Sequence, residues 1–160
     1  MSEAATHVFR IALQDEPGVF REIEIASAGK LADLAQAIVS AFDFDFDHAF
    51  GFYSGLGRDA LRSQPKYELF TDMGEPTSAR SVKRTRIVEA FPDVGHVMLF
   101  LFDYGDDWRF TVEVIGRGQK VAKTRYPKVL KSVGASPEQY PEWDEDDADD
   151  DEDEPEGRSN

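Results

Sequence analysis

The chain has 160 residues, of which 32 are acidic and 18 basic, a net charge of −14, and no cysteine. Disulfides, thiolate zinc sites and cysteine nucleophiles are therefore excluded, and the length suits one domain that buries its own core. The longest apolar run, Val97 to Phe102, is too short to span a bilayer, and MSEAATH has no basic stretch leading into an apolar one, so a soluble, cytoplasmic protein is expected.

In chain order, His7 to Leu13 alternates, with Phe9, Ile11 and Leu13 on one side and Val8, Arg10 and Ala12 on the other, as in a half-buried strand. The turn signal Asp15-Glu16-Pro17-Gly18 and a second run, in which Ile23 and Ile25 interleave with Glu22 and Glu24, complete a hairpin. Leu31, Leu34, Ala35, Ile38, Ala41 and Phe42 then recur at helical spacing, which predicts an amphipathic helix over 30–42. Strand, strand, helix is the order in which a β-grasp domain begins, and by that analogy of order a β-grasp-like start is expected.

HAFGFYSG reads as a strand carrying Phe50 and Phe52. From Gly55 to Ser81 the pattern weakens; KYELF suits a short strand, but Gly57, Pro65, Gly74 and Pro76 predict a long, mobile connection. Ser81 to Phe91 predicts a short helix that stops before Pro92. VMLFLFD and WRFTVEVI give the strongest strand signal. A two-residue type II′ turn at Gly105-Asp106 sets Asp103 opposite Trp108 and Leu101 opposite Phe110. Val97, Leu99, Leu101, Trp108, Phe110, Val112 and Val114 then share one face, opposed by Met98, Phe100 and Phe102 on the first strand and Arg109, Thr111 and Glu113 on the second. The first strand is expected to be central and the second solvated on one side. Pro127, Pro137 and Pro141 predict an extended strap across the body rather than a helix. The expected fold class is α+β: a single domain over 1–143, mainly antiparallel sheet packed by helices.

The charge is unevenly placed. Between Glu142 and Asn160 lie 12 acidic residues and one basic, which leaves 20 against 17 for the rest. Residues 144–160 have almost nothing apolar to bury and repel one another, so a disordered acidic tail is expected. Such a tail is either solubilising or an arm for a basic protein partner, where it competes with nucleic acid. Direct nucleic-acid binding by this chain is not expected, because that needs clustered Lys and Arg.

Four stretches carry a family resemblance. FDYGDDWRFTVEV resembles the Y-DFGD-W-H-I-V-E signature of the plasmid pRiA4b ORF-3-like family; GVFREIEI is similar to its I-W-R-R-I segment, with Phe20 in place of tryptophan. DHAFGF resembles its D-H-L-x-x-F, and RYPKVLKSVGASPEQYP its closing Y-P…G…P-P-Q-Y-P. The likeness spans roughly His7 to Trp143. It implies an α+β domain and no defined mechanism; some members bear a transposon-passenger or resolvase-like label, which implies an association with mobile elements. Phe110 stands where the family usually has histidine two residues after the tryptophan, so any acid–base or ligand role of that histidine is lost.

The candidate site is Asp103, Gly105, Asp106, Asp107 and Trp108, together with Asp47 and His48. Hard divalent cations take oxygen ligands gathered from two or more segments, so Asp103, Asp106 and Asp107, joined by carboxylates of FDFDFDH, form a possible metal site. A calcium loop is excluded: counted from Asp43, the sixth position is His48 rather than glycine and the twelfth Ser54 rather than glutamate. Equally, aspartates hold turns by accepting nearby backbone N–H bonds. His48 suits a general base beside Asp45 or Asp47, or a capping role. No residue is assigned a catalytic role, and no G-x-S-x-G or phosphate-binding loop is present. Trp108, Trp143, Phe20, Phe50, Phe52 and Tyr140 are core candidates, or line a groove under SPEQYPEW.

Two functions from different classes follow. The first is a non-enzymatic binding or interaction module with an acidic tail and no cofactor. The second is a metal-dependent hydrolase or nuclease-like enzyme built on the Asp cluster, with a divalent cation. Convergence separates them, since catalytic carboxylates meet in an open pocket and turn-holding ones point at their own backbone. An acidic nucleic-acid mimic is a third reading, resting on the tail alone.

Overall fold

A computed structural model describes residues 4–140 of the chain. The boundary expected at 143, Trp143 and the acidic tail lie outside the described residues.

The N-terminal alternation produces the expected hairpin: β1 (Ala5–Leu13) and β2 (Glu16–Ala26) pair antiparallel, with Phe9 opposite Ile23 and Ile11 opposite Arg21. The reversal falls at Gln14-Asp15, so Glu16, Pro17 and Gly18 belong to β2. Later strands are β3 (Phe50–Tyr53), β4 (Lys66–Glu68), β5 (Arg80–Ser81), β6 (Val97–Phe102), β7 (Trp108–Gln119) and β8 (Lys128–Val133). All join one sheet in the order β5-β4-β3-β6-β7-β1-β2-β8, antiparallel throughout except β4 beside β5. With helices α1 (Leu31–Ala41), α2 (Leu69–Asp72) and α3 (Ile87–Ala90), the fold is mixed α+β. The β-grasp comparison stops at the order strand, strand, helix, because the other neighbour of β1 is the antiparallel β7.

α1 forms where helical spacing predicted it and buries Leu31, Leu34, Ala35 and Ile38 against the sheet. No Ser, Thr, Asp or Asn caps its start. Instead its first free amides donate across the structure, Leu31 N to Thr85 O and Ala32 N to Val82 O, both 3.0 Å. Its end is a Schellman arrangement: Asp43, at φ 63, donates to Ser40 O, and Phe44 N donates to Val39 O at 2.9 Å.

The core lies between α1 and the sheet and is rich in phenylalanine, with Phe9, Phe42, Phe52, Phe91, Phe100 and Phe110 all fully buried. A smaller cluster of Tyr53, Ala60, Leu99 and Leu101 covers the opposite face of β3 and β6 under a 3₁₀ turn at Ala60–Arg62. Thus β6 is buried on both faces, while β7 buries Phe110, Val112 and Val114 and leaves Arg109, Thr111 and Glu113 partly solvated.

Two expectations need correction. The β6–β7 register differs by one residue: Phe102 lies opposite Trp108, Leu101 opposite Arg109 and Phe100 opposite Phe110. Such a slip exchanges the faces, so Met98, Phe100 and Phe102 join Phe110 and Val112 in the α1 core, and Leu99 and Leu101 turn away. The cause is a longer loop, Asp103 to Asp107, in which both end residues take positive φ, 65 and 59, and Gly105 does not. The Gly55–Ser81 connection is also built rather than featureless. It carries β4, α2, β5 and side-chain bonds such as Ser81 Oγ to Asp72 and Thr77 Oγ1 to Glu68 Oε1 at 2.7 Å. Hydroxyl and carboxyl partners there do the holding that an apolar pattern did not announce.

Candidate functional site

Asp103 sits at the end of β6, only 6% exposed. Its Oδ1 accepts the backbone N–H groups of Gly105 and Asp106 at 3.2 Å each, and its carbonyl accepts Asp107 N at 2.6 Å. A buried carboxylate needs such donors, and an aspartate tolerates the left-handed backbone that the loop requires. Asp107 bonds to Arg109 Nε at 2.9 Å, and Asp106 and Gly105 are exposed. Trp108 packs edge-on against Phe44, with ring centres 4.8 Å apart, and its buried indole N–H finds no partner among the described residues.

The three turn aspartates do not converge, because Asp103 points Oδ1 inward at its own loop and Asp107 points toward Arg109. Among the described residues no group of three His, Cys, Asp or Glu is placed to hold a metal ion. Two of the three turn carboxylates are instead held by loop and strand donors, Asp103 by its own loop amides and Asp107 by Arg109.

A different convergence is present. His48 Nε2 lies 3.3 Å from Asp103 Oδ2, 3.6 Å from Asp47 Oδ1 and 2.7 Å from the Tyr140 hydroxyl. Tyr140 donates in turn to Asp47 Oδ2 at 3.0 Å. This relay is consistent with a His48 Nε2–H donated to the phenol oxygen. The Tyr140 phenol is pushed up to about 12 by lost hydration, then by the Asp47 hydrogen bond and the charges of Asp47, Asp103 and Asp106, so it stays a donor. His48 and Asp47 also border an open cleft of about 460 Å³ with Phe46, Leu69, Met73 and Lys83.

Gln139 and Tyr140 close the site from the C-terminal strap. Gln139 grips both backbone groups of Asp45, accepting from its N at 2.8 Å and donating to its O at 3.1 Å. Ser136 Oγ donates to Asp43 Oδ2 at 3.1 Å and accepts from Arg21 at 2.8 Å. Arg21, 4% exposed, further donates to the carbonyls of Ala41, Phe20 and Val133 and lies over the Phe42 ring. Sequence reading placed a strap here but missed Arg21, Gln139 and Ser136 as its fasteners; the signal was the arginine of GVFREIEI and the Gln-Tyr pair of SPEQYP. His7, read only as a residue near the terminus, is fully buried between Ser27 Oγ at 2.7 Å and the Phe91 carbonyl at 2.8 Å.

A second buried polar group lies behind the turn. The Tyr53 hydroxyl donates to Glu68 Oε2 at 2.5 Å and meets the Tyr104 hydroxyl at 2.7 Å. Burial first, then the Glu68 bond, raises the Tyr53 phenol far above its ordinary range, so it remains neutral.

A roomier groove lies elsewhere. A groove of about 590 Å³ opens between the outer side of α1 and the β2–β8 edge, with Ile23, Ile25, Ala37 and Val129 along it and Gln36 and Lys120 among its polar residues. No helix among the described residues is long and apolar enough to cross a membrane.

Comparison with known proteins follows the same lines. A search of curated proteins finds no relative. Among solved structures, the fold is similar to that of a protein of unknown function from Methanosarcina mazei Go1, at a TM-score of 0.69 and 17% identity, covering 84% of this chain and 72% of that one. At that identity the likeness shows the fold alone. The profile of the plasmid pRiA4b ORF-3-like proteins matches residues 5–141, and the chain belongs to that family.

Proposed function

We propose that the chain is a binding module whose contact surface is the groove between α1 and the β2–β8 edge. The observation that carries this reading is the placement of that groove: it has a volume of about 590 Å³, it has buried Ile23 and Ile25 on one side, and it continues onto β8, whose outer edge pairs with no described strand. A pocket that is mostly apolar with a few polar groups is the usual form of a recognition site. An open edge offers backbone pairing to an extended segment. The occupant we favour is an extended stretch of a protein partner that adds beside β8 and lodges an apolar side chain in the groove. We place the module in the cytoplasm and assign residues 142–160 to contacts with a basic partner; the tie to mobile elements rests on the plasmid in the family's name.

The test is photo-crosslinking in the cells that make the protein, with a photoreactive residue at Gln36 on the groove or at Arg58 on a distant loop. A discrete protein adduct from Gln36, absent from Arg58 and suppressed by filling the groove with Ala37→Trp, is expected. Equal labelling at both positions would overturn the groove.

One observation favours a second reading, hydrolytic chemistry. His48 stands between Asp47 and Asp103 at the mouth of a cleft, the arrangement a general base needs. Thermal melts with chelator and then with Mg²⁺, Mn²⁺, Ca²⁺ and Zn²⁺ separate the readings, because a ligand of the folded state raises Tm by mass action. The binding-module reading expects superimposable curves. A cation-specific rise lost in Asp103→Asn would put the hydrolase first.

A further inference from the structure

Charge is segregated along the chain in a way that the net value conceals. Between Glu113 and Glu138 there are six basic residues and no acidic one, whereas 142–160 holds 12 acidic residues and one basic. The basic stretch covers the end of β7, the connection to β8 and β8 itself. Lys120, Lys123, Arg125, Lys128 and Lys131 are all exposed, and none of the five ion pairs among the described residues involves them. Two glutamates of β2 face the arm across the ladder, Glu22 opposite Lys131 and Glu24 opposite Lys128. Both are engaged elsewhere, Glu22 by Arg10 at 2.7 Å and Glu24 by Thr6 Oγ1 at 2.6 Å.

Lysines on an edge strand also discourage stray strand pairing. That role accounts for Lys128 and Lys131 but not for Lys120, Lys123 and Arg125, which precede the strand. It also disfavours a second copy as occupant, because two β8 edges brought together would oppose lysine to lysine.

From these observations we infer that the arm from Lys120 to Lys131 is the docking surface for the chain's own acidic segment, 142–160. Charge complementarity selects the occupant, and chain length allows it. The described chain ends at Tyr140, fastened to Asp47 and His48, and the following 20 residues extend up to about 65 Å. A folded body of this size has a radius of gyration of about 14 Å, so every face lies within reach. Tethering keeps the acidic segment at a high effective concentration beside the arm, which offsets the weakness of each exposed ion pair. Docked there, the segment lies along the rim of the groove that Lys120, Tyr126 and Val129 help to line. A basic partner would compete with the arm for the same segment. The docking itself stands whether or not the groove binds a protein.

Because the chain has no cysteine, Ser159→Cys gives a single attachment point for a spin label in the full-length protein. Amide broadening is then read by NMR at low and high salt, since the screening length falls from about 30 Å at 0.01 M to about 3 Å at 1 M. The expected result is broadening several times stronger across 117–131 than across 80–86, the other basic stretch, abolished at high salt. It should be reduced both in Lys128→Gln with Lys131→Gln and in Lys120→Gln with Lys123→Gln, the second pair lying outside any strand and sparing the ladder. Broadening centred on 80–86, spread evenly over the surface, or unchanged by salt and by both variants would overturn the inference.

Discussion

Asp103 is asked to do two things at once: hold a left-handed backbone at φ 65 and accept two loop amides while almost fully buried. Alanine fails at both, losing a cap-like acceptor and straining the backbone, for an expected loss of about 2–3 kcal/mol. Asparagine keeps the acceptor and tolerates the conformation, so Asp103→Asn is expected to cost less than about 1 kcal/mol. Urea denaturation of both variants checks the order. His7 makes a second prediction at the same scale. Burial, opposed by its bond to Phe91, lowers its pKa below the ordinary 6.5. Just below pH 6.5 the unfolded chain therefore binds a proton that the native chain refuses, and stability falls as pH falls through that window, by at most about 1.4 kcal/mol per pH unit. In His7→Gln the slope between pH 5 and 6.5 should flatten by that single-proton contribution, as followed by denaturation across pH; an unchanged slope would show that His7 is not the titrating group.

Among the elements, β3 shows how a short strand is locked by its neighbours. Gly51 leaves room for the two phenols that meet over it: a Cβ there would come within 2.7 Å of the Tyr104 hydroxyl and 2.8 Å of the Tyr53 hydroxyl. The Tyr53–Glu68 bond then ties β3 to β4, and Thr77 reaches the other oxygen of Glu68 from the following connection. Gly51→Ala is expected to destabilise by about 1–3 kcal/mol through overpacking. Tyr53→Phe is expected to cost a similar amount, about 1.5–3 kcal/mol, because a buried carboxylate loses its closest donor. Hydrogen exchange in Tyr53→Phe should quicken at 66–81 before it does at β1 or β7. Uniform quickening would mean that β4 and β5 open only with the whole sheet.

At the scale of the molecule, Arg21 fastens three distant parts together: the end of α1 through Ala41 O, the end of β8 through Val133 O and the strap through Ser136. Its cation also lies at the negative end of α1, where a positive charge is favoured. Arg21→Met retains the apolar stem but strands several part-buried acceptors, for an expected loss of about 2–3 kcal/mol. Exchange should quicken first at 132–140 and 43–48, the segments that Arg21, Gln139 and Tyr140 clasp. Loss confined to β2 would show that the strap is held without it.

The family, the hairpin, α1 and the solvated face of β7 were legible in the sequence, because alternation and helical spacing are properties of neighbouring residues and a sheet or helix simply obeys them. The β6–β7 register was not. It depends on a left-handed Asp103 whose acceptor role no apolar pattern records, and one residue of slip exchanges both faces of the strand pair. The candidate site was legible only as residue types: Asp47, His48 and Asp103 were singled out, but the partners that orient them come from far along the chain. His48 meets Tyr140 across 92 positions, Asp45 meets Gln139 across 94, and Arg21 meets Ser136 across 115. Composition placed the acidic segment after Tyr140, since charge can be counted along a chain, but a count of 20 acidic against 17 basic residues in the rest did not single out the basic arm. That the arm runs into an edge strand beside an open groove was decided only when the sheet set β8 at its margin, paired with β2 on one side and with no described strand on the other.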